Sequence, residues 1–224
     1  MGPAFAIISI LVFIPAIVVH EVAHGYAALK MGDTTAKDAK RLSFNPLRHI
    51  DPFGTVILPL LLVLAGMPAF GYAKPVPYNP NNLKDLKKGE LAVGLAGPAS
   101  NLVMAVCGAA VGFGVYLFNG LAPDIVFWAM VVLYYFTLIN LCLMFFNLLP
   151  IPPLDGSSII MPLLPDKYIP AWYRLQRAAF PILIVLVVVL PRVFGMLGIN
   201  FNPLSAYIEF TAGNLTELLF SFWD

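Results

Sequence analysis

The chain has 224 residues, of which 60% are hydrophobic and 11% are charged, whereas soluble domains carry roughly 25% charged residues. Long uncharged stretches predict an all-α polytopic membrane protein in a lipid bilayer and leave no room for a separate soluble domain. The net charge of +1 gives no electrostatic basis for binding nucleic acid. We expect one integral membrane domain over residues 1–224.

A first helix is predicted over residues 3–29, which is long enough to cross about 30 Å of hydrocarbon. Near its end stands His20-Glu21-Val22-Ala23-His24, the H-E-x-x-H pattern of zinc hydrolases. Residues four apart share one helical face, so His20 and His24 can bind one metal ion from the same side. Glu21 falls within about 100° of both on the helical wheel, close enough to act on a water at the metal.

The same pattern also occurs on soluble helices, where two surface histidines flank a carboxylate. Residues 3–19 carry no charge, however, and a solvated polar face does not suit such a helix. Ionisable groups beside an apolar segment are costly in lipid and mark a functional site. We therefore interpret His20, Glu21 and His24 as part of a metal site.

Polar loops and one short apolar stretch follow. Residues 30–53 are polar and basic, and the alternation over 39–44 allows short β-strands. Residues 54–70 are apolar but short and contain prolines, and residues 71–90 are again polar and basic. Five Lys and Arg residues lie in 30–53 and four in 71–90, so both loops are expected on the cytoplasmic side. Residues 54–70 are then expected to form a re-entrant segment that does not span.

Two more long helices are predicted over residues 91–118 and 124–149, joined by a loop at 119–123. Residues 178–199 are predicted to span again, and 203–222 to form a last span or an interfacial helix. If the first helix runs inward, this order places the metal motif and the segment after residue 150 toward the cytoplasmic face.

A catalytic zinc site needs three protein ligands and one open position. The candidates for the third ligand are His49, Asp51, Asp155, Glu209 and Glu217. His49 and Asp51 lie in a polar loop, where a solvated or structural role suits them better. Glu209 and Glu217 have the spacing of a polar helix face.

Asp155 differs from these because it follows a long uncharged run in which prolines break the helix. Gly156 permits a tight turn directly after it. Such an unwound segment can hold a carboxylate at membrane depth against another helix. From the residues alone, an aspartate that caps the next segment remains an alternative.

Asn101 lies inside the uncharged stretch 91–118, where an amide needs a hydrogen-bond partner. An interhelical hydrogen bond and a role in the active site are equally open for it at this point.

Three separated motifs stand in a fixed order along the chain: His20-Glu21-Val22-Ala23-His24-Gly25, then Gly97-Pro98-Ala99-Ser100-Asn101, then Asn147 through Gly156. With these motifs the chain resembles the site-2 protease family of intramembrane zinc metalloproteases. The resemblance covers roughly residues 5–160 and is to the compact form without a PDZ or CBS domain. It implies a three-helix catalytic core over about residues 3–160, with C-terminal helices at about 178–222.

The resemblance also implies roles for individual residues. His20, His24 and Asp155 are implied to bind Zn²⁺, a ligand set that suits this metal. Glu21 is implied to be the general base. Asn101 is implied to lie near the active site and to engage the substrate or an intermediate.

The expected function is that of a zinc metalloendopeptidase that cleaves membrane-protein substrates in or near their transmembrane segments, as in regulated intramembrane proteolysis. The expected location is a prokaryotic cell membrane, with the active site toward the cytoplasm. A membrane metal transporter, an inactive relative that only binds membrane segments, and a protease of lipidated C-termini with a late glutamate as third ligand are the alternatives. The substrate and the oligomeric state are not assigned by the sequence.

Overall fold

The computed structural model describes residues 3–64, 71–118, 122–199 and 201–223, and within these ranges the chain is helical without any strand. The all-α fold class is therefore confirmed. The helices are α1 (Pro3–Lys30), α2 (Thr35–Asp38), α3 (Leu58–Leu64), α4 (Leu86–Leu117), α5 (Pro123–Asn147), α6 (Ile169–Ile184), α7 (Leu190–Met196), α8 (Pro203–Ile208) and α9 (Asn214–Leu219).

Three of these helices, α1, α4 and α5, are long and apolar enough to cross a membrane. They correspond to the three long helices predicted from the sequence, although α4 begins five residues earlier than the predicted start at residue 91. The extra turn is capped by Asp85, whose side chain accepts a hydrogen bond from the backbone N–H of Lys88 at 3.0 Å.

Helix α4 packs against both α1 and α5, which also contact each other. Its buried face consists mainly of small residues, which allow the helix backbones to approach closely. These are Gly89, Gly94, Gly97, Ala105, Gly108, Ala109 and Gly112. Large apolar side chains such as Val103 and Val106 point outward and stay exposed, as suits a surface that faces lipid.

The C-terminal region forms two helical stretches. Helix α6 continues through a π-helical stretch, Val185–Val189, into α7, so the helical run begins at Ile169. Its apolar part, Val185–Met196, is shorter than the three helices that can cross a membrane, and the span at 178–199 stays a prediction. Helices α8 and α9, joined by the π-helical stretch Glu209–Gly213, pack against α5. Ala212 and Phe220 from this second stretch belong to apolar clusters shared with α4 and α5.

The possible strands at 39–44 are not formed. Lys40 has a φ of 54°, which interrupts an extended run. The neighbouring backbone groups bond locally instead, with Arg41 N donating to Ala36 O at 2.9 Å.

The two basic loops lie at the same end of the molecule, as expected. Asp33 after α1 accepts hydrogen bonds from Asn79 N at 2.7 Å and from the Asn82 side chain at 2.8 Å. Lys84 N donates to Met31 O at 2.9 Å in the same region. The loops after α1 and before α4 are thus one packed unit.

The residues on either side of the segment at 54–70 both belong to this unit. The backbone N–H of Tyr72 donates to Gly54 O at 3.1 Å, and that of Lys74 donates to His49 O at 2.8 Å. These pairs place both ends of the segment side by side, which is the arrangement expected of a re-entrant segment. Residues 65–70 of it, and residues 119–121 of the predicted loop 119–123, lie outside the described residues.

Candidate metal centre

Helix α1 presents His20 and His24 one turn apart on a single face, as the i, i+4 spacing dictates. Their Nε2 atoms are 3.0 Å apart, and the two rings are nearly perpendicular, at 86°. His20 is only 4% exposed, so the pair lies inside the protein and does not form a solvated helix face.

Asp155 reaches this pair from the far end of α5. That helix ends at Asn147, and the proline-containing segment after it leads into a short 3₁₀ turn, Asp155–Ile159. Asp155 Oδ2 lies 3.0 Å from His20 Nε2 and 3.3 Å from His24 Nε2. Among the described residues, His20, His24 and Asp155 form the one group of His, Cys and acidic side chains whose ligand atoms converge on a point.

The outer nitrogens of both rings are held by α4. His24 Nδ1 lies 2.6 Å from the backbone carbonyl of Val93, and His20 Nδ1 lies 2.6 Å from Asn101 Oδ1. Because these oxygens only accept hydrogen bonds, each Nδ1 carries the hydrogen. In the neutral ring each Nε2 then exposes a lone pair.

This donor set fits a cation. Two lone pairs and a carboxylate oxygen that face one another at 3.0–3.3 Å repel unless positive charge lies between them. Ligand atoms of a tetrahedral zinc at about 2.0–2.2 Å lie about 3.3–3.6 Å apart, close to these separations. Asp155 Oδ2 is buried and accepts no hydrogen bond from the described residues.

The Asp155 carboxyl is held in its ionised form. Burial alone would raise its pKa, but positive charge and hydrogen bonds from protonated His24 and His20 rings outweigh burial and place the pKa of Asp155 well below its ordinary value. A cation between two neutral rings would supply positive charge at the same place. An ionised carboxylate is the form that binds a metal ion.

Two glycines of α4 make this arrangement possible. A Cβ atom at Gly97 would lie 2.5 Å from His20 Cε1 and 2.5 Å from His24 Nε2. A Cβ atom at Gly94 would collide with the Ser158 side chain and approach Asp155 O to 3.0 Å. Side chains at either position would push α4 away from the histidine pair or from the Asp155 turn.

Glu21 lines the same cavity as the three converging side chains, a volume of about 1070 Å³. Its Oε2 accepts a hydrogen bond from the backbone N–H of Val76 at 2.9 Å. Val76 belongs to the loop that follows the segment at 54–70, so this loop orients Glu21.

Asn101 lies at the site, beside His20. Its side chain is fully buried, with Oδ1 facing His20 and Nδ2 donating to Asn140 Oδ1 at 2.9 Å and, at 3.4 Å, to Ala16 O. Both polar atoms are therefore engaged by protein, and Asn101 is not among the residues that line the cavity. Contact with a substrate stays a prediction that requires the amide to leave these partners.

The other candidate third ligands lie elsewhere. His49 is buried, with Nε2 bonded to Ser43 O at 2.7 Å, and Asp51 caps a helical turn through the N–H groups of Phe53 and Gly54. These two have structural roles, as the polar-loop interpretation suggested. Glu209 and Glu217 are exposed and do not belong to the metal-capable group.

A buried carboxyl in the cavity wall escaped the sequence analysis. Glu90 at the start of α4 is 2% exposed and accepts hydrogen bonds from Tyr173 at 2.6 Å and Tyr78 at 3.0 Å. In the sequence it follows two lysines at the end of the basic loop 71–90. Its one sequence signal is a carboxylate at the edge of an uncharged stretch.

Known proteins resemble the chain in sequence. Residues 115–190 match the family described as peptidase family M50. The chain is 37% identical over 188 residues to the Bacillus subtilis protein "Putative zinc metalloprotease YwhC", an alignment that covers 80% of this chain and 79% of that protein.

Two further relatives are more distant. Identity is 29% over 216 residues to "Putative zinc metalloprotease Rip2" of Mycolicibacterium smegmatis, covering 92% of this chain and 76% of that protein. It is also 29%, over 164 residues, to "Zinc metalloprotease MJ0392" of Methanocaldococcus jannaschii, covering 73% of this chain and 36% of that protein. No solved structure matches the chain.

Proposed function

Since the chain belongs to the site-2 protease family, peptidase family M50, and is a zinc metalloprotease of multi-pass membrane type, we propose that it cleaves other membrane proteins in or near their transmembrane segments. The substrates proposed are membrane-spanning proteins, and the setting is the regulated proteolysis of such proteins in a prokaryotic cell membrane.

One observation carries this proposal. The ligand atoms of His20, His24 and Asp155 converge within 3.0–3.3 Å of one another. The two histidines lie on a helix that can cross a membrane, and Asp155 lies in the turn that follows another such helix. We assign these three side chains as the zinc ligands. The adjacent Glu21 in the same cavity is assigned as the general base.

Zinc bound at these ligands would polarise the carbonyl of the scissile peptide and lower the pKa of an attacking water toward about 7. Glu21 then accepts a proton from that water and delivers it to the amine of the leaving peptide. The hydrogen bond from Val76 N holds one carboxylate oxygen, Oε2, at 2.9 Å and so fixes the direction of the group. The α4 contacts hold both imidazoles in place throughout.

The cavity suits a peptide that has left its helix. A transmembrane helix has its carbonyls already hydrogen-bonded, so a substrate must unwind locally before hydrolysis. The wall contains backbone and polar groups beside apolar ones, including Tyr72, Phe146 and Asn147. A site of about 1070 Å³ can hold several residues of extended chain with the water that hydrolysis consumes.

The active site is proposed to open toward the cytoplasm. The metal-binding end of α1 lies beside the two basic loops, whose positive charge favours the cytoplasmic side. Arg41 of the first loop donates to Lys74 O of the second at 2.9 Å, so both loops must share that side.

The test separates zinc binding from chemistry. Glu21→Gln should keep the zinc content of the purified protein and abolish cleavage of a co-expressed panel of single-span membrane proteins tagged at both ends. His24→Ala and Asp155→Ala should lose both properties. Elemental analysis measures the zinc, and immunoblotting of the two tags measures cleavage.

Glu217→Gln is the matched control, because it makes the same exchange at an exposed glutamate. It should change neither property, and loss of zinc there would favour a late glutamate as third ligand. Cleavage that survives in Glu21→Gln would falsify the general-base role.

A further inference from the structure

Three hydrogen bonds link α5 to the metal centre through two buried amides. Asn140 Nδ2 donates to the backbone carbonyl of Phe136 at 2.8 Å. Asn101 Nδ2 donates to Asn140 Oδ1 at 2.9 Å, and Asn101 Oδ1 lies 2.6 Å from His20 Nδ1. Asn101 and Asn140 are both 0% exposed, so no bulk water competes for these groups.

The donor and acceptor roles in this series of hydrogen bonds are set at its α5 end. A backbone carbonyl can only accept, so the Asn140 amide must turn its NH₂ group toward Phe136 O. Its oxygen then faces Asn101 and can only accept, which turns the NH₂ group of Asn101 toward α5. The oxygen of Asn101 is left facing His20 Nδ1, and that nitrogen must carry the hydrogen.

His20 and His24 differ in how they are held. The partner of His24 is the backbone carbonyl of Val93, which cannot rotate within its helix. The partner of His20 is a side-chain amide, which can turn by 180° and offer NH₂ in place of oxygen. A turned amide would force the hydrogen onto Nε2, the atom that faces Asp155 at 3.0 Å.

We propose that Asn140 is a positioning residue that fixes the orientation of Asn101 and thereby the tautomer of His20, keeping Nε2 free to bind zinc. This inference rests on the proposed function, in which His20 is a zinc ligand. Ala16 O also faces the Asn101 NH₂ group, but at 3.4 Å it is the more distant acceptor. Mutation of a residue that orients a metal ligand through hydrogen bonds typically lowers metal affinity by about 10–100-fold.

The first test measures zinc affinity by chelator competition on the purified full chain. Asn140→Leu removes the acceptor for Asn101 and should weaken zinc binding by about tenfold or more. Asn140→Asp keeps an oxygen that accepts from Asn101 and should bind zinc within a few-fold of the wild type. Thr137→Val is the matched control, because Thr137 is equally buried about one turn earlier on α5. Its hydroxyl donates to Ala105 O at 3.4 Å and to no other group in the part of the chain that the structure describes.

The second test separates orientation from simple packing. In an Asn101→Asp background either side-chain oxygen can accept the hydrogen of His20 Nδ1, so no orienting group is needed. Asn140→Leu should then cost no zinc affinity, whereas a loss caused by poorer helix packing would persist in that background. The expected result is strong non-additivity between the two positions.

The outcomes are distinguishable. Wild-type affinity in Asn140→Leu, an equal loss in Thr137→Val, or an undiminished loss in the Asn101→Asp background would each overturn the positioning role alone. A wild-type protein that binds no zinc, or His20→Ala with unchanged affinity, would overturn the proposed ligand set and the positioning role with it.

A measurement on the unmutated protein covers the case in which Asn140→Leu does not fold. The chain has three histidines, so the ¹⁵N spectrum of histidine-labelled, zinc-loaded protein can resolve each ring. His20 should show a protonated Nδ1 and a metal-shifted Nε2. A protonated Nε2 on His20 would overturn the proposal.

Discussion

The backbone carbonyl of Val93 lies 2.6 Å from Nδ1 of His24, so α4 orients a histidine that α1 supplies. The metal centre therefore depends on how closely two membrane helices approach each other. Gly97 and Gly94 are the positions where a side chain would prevent that approach.

Gly97→Ala should disrupt the centre while leaving α4 helical. The added Cβ would lie 2.5 Å from atoms of both His20 and His24, closer than packed side chains allow. The rings or the helix must therefore shift. We expect at least a tenfold loss of zinc affinity, measured by chelator competition, because loss of the contacts that orient metal ligands typically lowers affinity by about that much.

Gly114→Ala on the same helix is the control, because a Cβ atom there would meet no described atom within 4 Å. Alanine favours helix over glycine by up to about 1 kcal/mol, so this variant should bind zinc normally and be no less stable. Equal zinc affinity in the two variants would show that the close approach at Gly97 is not required.

The long helices were predictable because the bilayer fixes the length of an uncharged segment. The histidine pair was predictable for a similar reason, since the i, i+4 spacing is a local property of a helix. Both features can be read without knowledge of the neighbouring helices.

The orientation of Asn101 was not predictable in this way. Its partners His20 and Asn140 lie 81 and 39 residues away along the chain, and no local pattern indicates which of several buried amides will meet. Glu90 was missed for the same reason, because Tyr78 and Tyr173 come from separate segments. Pairings between distant segments decide where a buried polar group points.

Asp33→Asn should loosen the packed loops at the α1 end. Asp33 is fully buried and accepts from Thr35, Asn79 and Asn82, with distances between 2.5 and 3.1 Å. An amide would place NH₂ against some of these donors, and we expect a loss of about 2–3 kcal/mol in unfolding free energy. The exposed Asp124→Asn should change it by less than about 1 kcal/mol.

The same residue gives a pH dependence. Burial would raise the pKa of Asp33, but the hydrogen bonds from Thr35, Asn82 and Asn79 outweigh burial and lower it. A lowered folded-state pKa means that this stabilisation is present above about pH 4 and is lost as the pH falls through the folded-state value. Thermal unfolding between pH 7 and pH 3 should show this loss in the wild type and a smaller slope in Asp33→Asn. Equal slopes would contradict it.

Tyr173→Phe should weaken the contact between α6 and Glu90 in the cavity wall. The Tyr173 hydroxyl donates to Glu90 Oε1 at 2.6 Å, and its removal leaves one oxygen of a buried carboxyl without that donor. We expect a loss of about 1–3 kcal/mol in unfolding free energy with zinc content unchanged, since neither residue belongs to the converging ligand group. Tyr168→Phe, at an exposed position, should have no effect. An unaltered melting temperature in Tyr173→Phe would show that the hydrogen bond between Tyr173 and Glu90 does not stabilise the protein.

Cysteine labelling should place both basic loops on one side of the membrane. The structure joins them through Asp33 and Arg41, so single cysteines at the exposed positions Lys37 and Asn81 should react with the same membrane-impermeant maleimide from the same side. In the proposed orientation this side is the cytoplasm, and labelling should require inverted vesicles or permeabilised cells.

The labelling needs a background in which Cys107 and Cys142 are replaced by alanine, because Cys107 is exposed. Asp124→Cys is the reference for the other side, since it begins α5 at the end opposite Asn147. It should label in intact cells, where Lys37→Cys and Asn81→Cys do not. Labelling of Lys37→Cys and Asn81→Cys in intact cells, with Asp124→Cys unlabelled, would reverse the cytoplasmic assignment. Labelling of Lys37→Cys and Asn81→Cys from opposite sides would mean that residues 54–70 cross the membrane. The hydrogen bond between Tyr72 N and Gly54 O, at 3.1 Å, is incompatible with such a crossing, so the re-entrant arrangement is the expected result.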